Sequence, residues 1–354
     1  MRRAGRAVLW AVAAGLVLFT GLRISGLDLG WPVVAALAFT PYMAVGSLVP
    51  LATAAAVRAW RPLAVVSACT VVLAILVVPR MLPATAPPAG GPPLRVMTVN
   101  LYGGAGDTGT VVELVRRHRV DVLTVLELTG SDAGRLATAG IDALLPHQRL
   151  LPGDSVEGSG IYARFPLSPA ADLERDSRFE MPAVRLRVPG ADPVELLAVH
   201  PVPPVAGQIA SWRHELRTLP PATPDGPVRV LAGDFNATLD HAPLRALIAS
   251  GYADAGDATG AGLVGTWRDL RPVGRLLPAV PIDRVLVDPR VAVNDLSVHP
   301  IPGSDHRSVI AHLTLPAGSA HSLRAVSGPV IRRSSGSVAA MTPSATARPA
   351  TTIR

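Results

Sequence analysis

Lysine is absent from this chain: all 33 basic residues are arginine. That reflects a composition bias towards high GC and carries no functional signal of its own. Cysteine is nearly absent too. Cys69 is the single one, so no disulfide forms within the chain, and its apolar surroundings exclude thiol chemistry from the main domain. There is no Cys cluster and no His-x-x-x-His pair, which argues against a zinc site built from soft ligands. Aromatic residues are scarce, at 4%. Acidic residues are scarce at both ends. Residues 1–94 hold seven Arg and one Asp, and residues 317–354 hold five Arg and no acid. Between them, residues 95–316 hold 21 Arg against 25 Asp and Glu, a net charge of −4. The overall +7 is therefore a property of the ends. A domain that grips a long nucleic-acid backbone carries a basic footprint, and the middle of this chain has none in its net balance.

What the chain has in excess is apolar sequence near its start. Its mean hydropathy of +0.36 is high for a purely soluble protein. Three runs without a charged side chain come first: Ala7–Leu22, Trp31–Val57 and Leu63–Val78. Spans of about 17 to 25 apolar residues fit a bilayer. The first run alone has the length of a signal-peptide core, but it lacks a clear small-x-small cleavage site and two more runs follow. Three transmembrane helices are expected within residues 1–80, with Pro41 and Pro50 kinking or breaking the second. Arg2, Arg3, Arg6, Arg58 and Arg61 flank one side, against Arg23 and Arg80 on the other. The positive-inside rule then places the N-terminus in the cytoplasm and everything beyond Arg80 outside. Residues 81–93, rich in Pro and Ala, read as a linker able to reach about 40 Å. Residues 317–354 are mostly Ser, Ala, Thr, Arg and Pro, too polar to bury a core, and read as a disordered tail.

Residues 94–316 remain as one domain. Strands are predicted at 94–102, 120–128, 158–165, 183–188, 193–200, 227–235, 282–287, 292–298 and 307–314. Helical spacing marks 108–118, with Thr108 as its cap, 206–218 and 241–250. Polar residues collect where the strands stop: Asn100, Glu127, His200, Asp234 and Asn236, Asp283, and the pair Asp305 and His306. Buried strands exclude carboxylates unless these are paired or metal-bound. Asp234 and Asn236, in "GDFN", stand two apart, so on a continuing strand they would face the same side. The same four residues also suit an ordinary turn.

The ordered series "TVNL", "LE", "GSGIYAR", "VH", "GDFN", "PID" and "SDH" resembles the endonuclease/exonuclease/phosphatase superfamily over about residues 94–316. That resemblance implies a four-layer α/β sandwich, two packed mixed sheets with helices outside and the site at one edge. It implies that Glu127 is the main metal ligand, that Asn100 supports it, and that Asp305 is a second metal-side carboxylate. Asp234 would activate or orient water, Asn236 and His200 would hold phosphate, and His306 would be the catalytic histidine oriented by Asp283. Leu126 departs from the pattern, since many members carry Gln before the metal-binding Glu. Arg164 fits a family position before Pro166. The remaining histidines read as surface or packing residues, and Trp267 as part of the site rim.

Carboxylate oxygens with water suit Mg²⁺, with Mn²⁺ as its substitute. The expected activity is that of a membrane-anchored, metal-dependent phosphoric ester hydrolase working outside the cell. Several spans followed by such a domain resemble the actinobacterial membrane proteins linked to teicoplanin resistance. That layout implies a lipid-linked cell-wall intermediate such as undecaprenyl pyrophosphate as substrate, with no stable nucleic-acid partner. Two alternatives stay open: an extracellular metal-dependent nuclease, and a non-catalytic binding domain of the same fold.

Overall fold

The computed structural model describes residues 3–175, 177–272 and 274–319. The expected disordered tail therefore lies, from residue 320 on, outside the described residues. The apolar start folds as α1 (Arg3–Ser25), α2 (Trp31–Leu37), α3 (Thr40–Gly46), α4 (Leu48–Ala56) and α5 (Trp60–Val77), closed by a 3₁₀ turn at Val78–Met81. Among the described residues two helices, Arg3–Ser25 and Trp60–Met81, are long and apolar enough to cross a membrane. The second apolar run is not one straight span. It breaks after Leu37, and α2 is bent by 65° from α3–α4. A third crossing exists only if this bent pair counts as one. The break has a packing cause. Val34 of α2 is fully buried in a cluster with Trp212, Phe235 and Leu244 of the following domain, so α2 lies against that domain. Pro41 falls in the first turn of α3, where the missing N–H costs nothing.

The domain follows as β1 (Pro93–Asn100), α6 (Thr108–His118), β2 (Val122–Leu126), α7 (Gly130–Thr138), α8 (Ile141–Leu144), β3 (His147–Leu151), β4 (Ser159–Ala163), β5 (Leu167–Pro169), β6 (Ala183–Leu186), β7 (Val194–Val199), α9 (Ile209–Thr218), β8 (Arg229–Asp234), α10 (Ala242–Ala249), β9 (Ala253–Asp254), α11 (Ala255–Ala258), β10 (Asp283–Val287), β11 (Ala292–Pro300) and β12 (Arg307–Thr314). Two six-stranded sheets form, in the orders β11-β12-β1-β2-β4-β3 and β5-β6-β7-β8-β10-β9. Their inner faces pack through Val96, Leu126, Ile161, Leu196, Val230 and Val285. One outer face is covered by α6, α7 and α8 through residues such as Val111, Val115, Leu136 and Ile141. The other is covered by α9 and α10 through Trp212, Leu216, Leu244 and Leu247. This is the expected four-layer sandwich. The cap of α6 is Asp107, whose carboxylate accepts from the Thr110 N–H at 2.7 Å, one residue before the expected Thr108.

The apolar N-terminal helices and the domain are joined by buried polar contacts. Asp240 accepts from Arg23 at the end of α1 (2.6 Å) and from Arg80 after α5 (2.7 and 2.9 Å). Nε2 of His241 lies 2.8 Å from the Val34 carbonyl, and Arg213 donates to the Asp28 carbonyl at 2.8 Å. Between Met81 and Pro93 the chain forms no helix or named strand, but it is not a free tether. The Ala84 N–H donates to Ala258 and the Gly91 N–H to Leu315, both at 2.9 Å. The prolines exclude regular structure here, and the N–H groups of the other residues bind the neighbouring surface. Arg3, Arg6, Arg58 and Arg61 are exposed at the starts of α1 and α5, which come together where Leu9, Ala54, Ala59 and Leu63 pack. Arg23 and Arg80 sit at the other end, on the domain.

Candidate active site

Strand direction explains why polar residues scattered over some 200 positions meet. β1 with β2, and β7 with β8, are the parallel pairs of the two sheets. Their C-terminal ends therefore share one rim. Asn100 ends β1, Glu127 follows β2, His200 follows β7 and Asp234 ends β8. β10 and β12 run antiparallel to β8 and β1, so their first residues start at that rim. Asp283 opens β10 directly opposite Asp234, and Asp305 and His306 immediately precede β12. Within the second sheet, β7 and β8 leave room only for a glycine at position 233: a Cβ there would lie 2.0 Å from the carbonyl oxygen of its partner Val199.

Nδ2 of Asn100 bridges the two sheets, donating to Glu127 at 3.0 Å and to Asp234 at 3.3 Å. Its Oδ1 accepts from the Tyr102 N–H at 2.9 Å. Asn100 thus ties Glu127 and Asp234 to the end of β1. Nδ1 of His306 meets Asp283 Oδ2 at 2.9 Å and Oδ1 at 3.1 Å. Its Nε2 faces Asp234 Oδ2 at 3.7 Å and Asp305 Oδ1 at 3.8 Å. Nε2 of His200 lies 3.9 Å from Asp234 Oδ2 and 4.0 Å from Glu127 Oε1, with the Phe179 ring 4.8 Å from its own. Asn236 is reached differently from the expected strand alternation. It lies beyond the end of β8 with φ +48°, and its N–H donates to Asp234 Oδ1 at 2.8 Å. The turn chemistry of "GDFN" is what folds Asn236 back beside Asp234. Its side-chain amide donates to the Pro201 carbonyl at 3.0 Å.

Burial sets the charge states. It raises the carboxyls of Glu127, Asp305 and Asp234, with neighbouring carboxylates adding to the effect at each. Burial also lowers His200 to about 3, which leaves it neutral at physiological pH. Burial alone would lower His306 as well, but the carboxylates of Asp283, Asp234 and Asp305 outweigh it and hold this imidazole well above the usual histidine range. One histidine is therefore neutral and the other cationic within the same rim.

A divalent cation fits this set. Glu127 Oε2 and Asp305 Oδ1 are buried with no hydrogen-bond partner, a costly state that oxygen-seeking metal ions relieve. Asp234, Asp283 and His306 also bring ligand atoms within 4.8 Å of one another. There, however, both Asp283 oxygens already face His306 Nδ1, so the unpartnered oxygens favour the Glu127 and Asp305 side.

Two supporting residues escaped the sequence reading. Ser304 Oγ donates to the Asn100 carbonyl at 2.8 Å and accepts from the His306 N–H at 3.0 Å. Thr266 Oγ1 accepts from the N–H groups of Ile282 and Asp283 at 3.1 and 3.0 Å. Trp267, placed at the rim from sequence, has a defined contact: its indole N–H donates to Asp305 Oδ2 at 2.9 Å. Ser304 stands two residues before His306, a spacing at which a hydroxyl caps a turn; Thr266 left no such signal. Arg164 lies at the opposite sheet end, paired with Asp121 at 3.3 Å, because β4 runs antiparallel to β2. Leu126 packs in the core. A cavity of about 170 Å³ opens beside His306, lined by Trp267, Arg268, Leu270, Asp305 and Arg307. A larger cavity of about 480 Å³ lies at the far sheet end around Val194, Val228 and Leu315, away from this chemistry.

Against models of known families, residues 97–306 match the endonuclease/exonuclease/phosphatase family. The chain belongs to that family. Solved structures share the fold of the family domain. D. rerio TDP2, complexed with single strand DNA product, is 14% identical and covers 62% of this chain and 98% of its own, with a TM-score of 0.50. An AP endonuclease from Archaeoglobus fulgidus is 14% identical over 62% of this chain and 98% of its own (TM-score 0.49). A family member from Beutenbergia cavernae DSM 12333 is 20% identical over 63% and 72% (TM-score 0.46). Among curated proteins none matches. Members of this family are usually metal-dependent phosphoesterases or nucleases, and the rim described above has the donors such a hydrolase needs.

Proposed function

We propose that the protein is a divalent-metal phosphoesterase acting on a phosphate ester held at the membrane surface. The observation that carries this reading is the Asp240 clamp. Arg23 and Arg80, from the ends of two apolar helices, are buried on one carboxylate of the catalytic domain. The site is thereby fixed relative to the bilayer instead of roaming on a tether, which raises its effective concentration towards membrane-borne substrate. The domain's net charge of −4 supports a single phosphate group over a polyanion.

In this reading Glu127 and Asp305 hold the ion, taken as Mg²⁺, with Asn100 fixing Glu127. The bound ion would neutralise charge on phosphoryl and leaving-group oxygens. Asp234, raised by burial, serves as general base for the attacking water, since a base works best with a pKa near the operating pH. His306, kept protonated by Asp283 and its neighbours, faces the phosphate oxygens. Asn236 and neutral His200 bind the remaining oxygens. A lipid-linked cell-wall intermediate such as undecaprenyl pyrophosphate is the specific candidate. With Arg3, Arg6, Arg58 and Arg61 at the end far from the domain, the positive-inside rule supports an extracytoplasmic site. A reporter fused after residue 316 and active only in the cytoplasm would contradict that side.

Arg268 and Arg307, which line the cavity beside His306, favour a nuclease as the second reading. The DNA product held by D. rerio TDP2 makes it concrete. The test is phosphate release by the full chain from prenyl phosphates, phospholipids, inositol phosphates and DNA, with and without Mg²⁺. The expected result is metal-dependent release from a lipid phosphate, reduced about 10²- to 10⁴-fold by Asp234→Asn, the usual contribution of a positioned base. Equal turnover by the variant would refute the role given to Asp234.

A further inference from the structure

We infer that the groove between α3–α4 and α5 holds the hydrocarbon chain of the substrate, with the phosphate end delivered to the rim at His306. The inference rests on the reading of this protein as a membrane phosphoesterase and adds where the lipid lies.

The groove encloses about 380 Å³. Its lining runs from Ala38 to Leu48 on one side and from Thr70 to Met81 on the other. At 1.5 Å per helical residue each wall is about 15 Å long, roughly half of a ~30 Å hydrocarbon core. That is the depth available to a chain entering from one leaflet. Ala44 and Ala74 keep the groove open. The polar groups along it are already satisfied. Thr70 Oγ1 donates to Ser47 Oγ at 2.9 Å, and the Tyr42 hydroxyl donates to the Ala279 carbonyl at 2.6 Å. What faces the space is therefore hydrocarbon, which accepts a lipid chain and offers water nothing to bind.

The domain end of the groove is formed by Leu263 and Pro281, and here it meets the catalytic rim. Ala279, held by Tyr42, also lines the cavity beside His306. Val280, the next residue, pairs with Trp267 through hydrogen bonds of 3.0 and 2.9 Å. Trp267 in turn holds Asp305. The segment 279–281 borders both spaces, Pro281 lining the apolar groove and Ala279 the polar cavity. A chain lying in this groove brings its head group to the cavity lined by Arg268 and Arg307, whose guanidinium groups suit phosphate. The occupant that matches both ends is a phosphate or pyrophosphate ester of one long hydrocarbon chain.

The experiment combines labelling and kinetics on the full chain in lipid vesicles. A long-chain alkyl phosphate carrying a photoreactive group near its tail should label peptides covering 38–48 and 70–81. Ala74→Trp, which fills the groove far from the rim, should abolish that labelling. It should also lower kcat/KM for the long-chain ester at least about tenfold, the loss expected when two buried methylenes lose their place. Turnover of a short, water-soluble phosphate ester should stay unchanged. Label confined to the outer helix faces, with the long-chain ester turned over equally by the variant, would overturn the groove and leave the phosphoesterase reading intact. Label in the groove without turnover of any phosphate ester by the wild type would instead remove the enzymatic reading.

Discussion

Replacing Asp240 by Ala removes the partner of two buried guanidinium groups at once. Asp240 is 1% exposed, and the side chains of Arg23 and Arg80 are 4% and 8% exposed. Burial alone would raise the Asp240 carboxyl, yet Arg80 and Arg23 hold it below the usual carboxylate range, so Asp240 is ionised at neutral pH. Removing one member of such a buried set costs about 3–5 kcal/mol, because the remaining charge is left without compensation. For a domain of this size each kcal/mol is worth roughly 2–4 °C in unfolding temperature, so a drop of about 6–20 °C follows. Asp240→Asn keeps the volume and should fall nearly as far, since the charge is what is lost. Trypsin supplies a second readout. Arg80 is a cleavage site shielded by the clamp, and its cut separates membrane helices from catalytic domain. In detergent micelles the variant should be cut there rapidly while the wild type resists. An unfolding temperature within about 2 °C of wild type, together with unchanged resistance at Arg80, would refute the reasoning and return the domain to a loose tether.

Two further perturbations probe the histidines. Asp283→Asn removes the carboxylate that does most to raise His306, so His306 gives up its proton at lower pH. The alkaline limb of the activity profile should move to lower pH, with activity weakened and not abolished; an unmoved limb would separate His306 from the titration that governs activity. His241 is fully buried between the Thr238 N–H and the Val34 carbonyl, and burial lowers it to about 4. Its neutral form is the folded form. The stability it contributes is complete above the unfolded pKa of about 6.5 and is lost as pH falls from there towards about 4, up to roughly 3 kcal/mol. Unfolding temperatures at pH 7.5 and pH 5 should differ less in His241→Gln than in the wild type, and an equal pH effect in both would contradict this.

The strands that carry the site were legible because they are apolar runs ending in a polar residue, as in "VRVLAGD" and "ELLAVH". β3, "HQRLL", was not, because it is a half-buried edge strand without clear alternation. α7 was missed although Thr129 and Asp132 form a capping box, a signature visible in the sequence. The residues that meet at the rim were singled out through the family motifs, and their meeting follows from the directions of β1, β2, β7, β8, β10 and β12. Their supports were harder to see. Ser304 and Thr266 act through backbone groups of residues brought near only by folding. The clamp was invisible, since Asp240 and its two arginines lie 217 and 160 positions apart. Arg23 and Arg80 read as loop charges for the same reason. Composition identified the connection at 81–93, but nothing in it revealed that both ends bind the domain.

The most direct measurement is a competition in one vessel between a prenyl pyrophosphate in vesicles and plasmid DNA, at low and at physiological salt. A site that holds one phosphate through a metal ion, His306 and Asn236 needs no extended basic surface, whereas duplex DNA draws its affinity from many phosphate contacts that weaken steeply with salt. The expected result is faster, Mg²⁺-dependent release of phosphate from the lipid at both salts, with little change between them. Faster cleavage of DNA at both salts would contradict the membrane-phosphoesterase reading and establish the nuclease in its place.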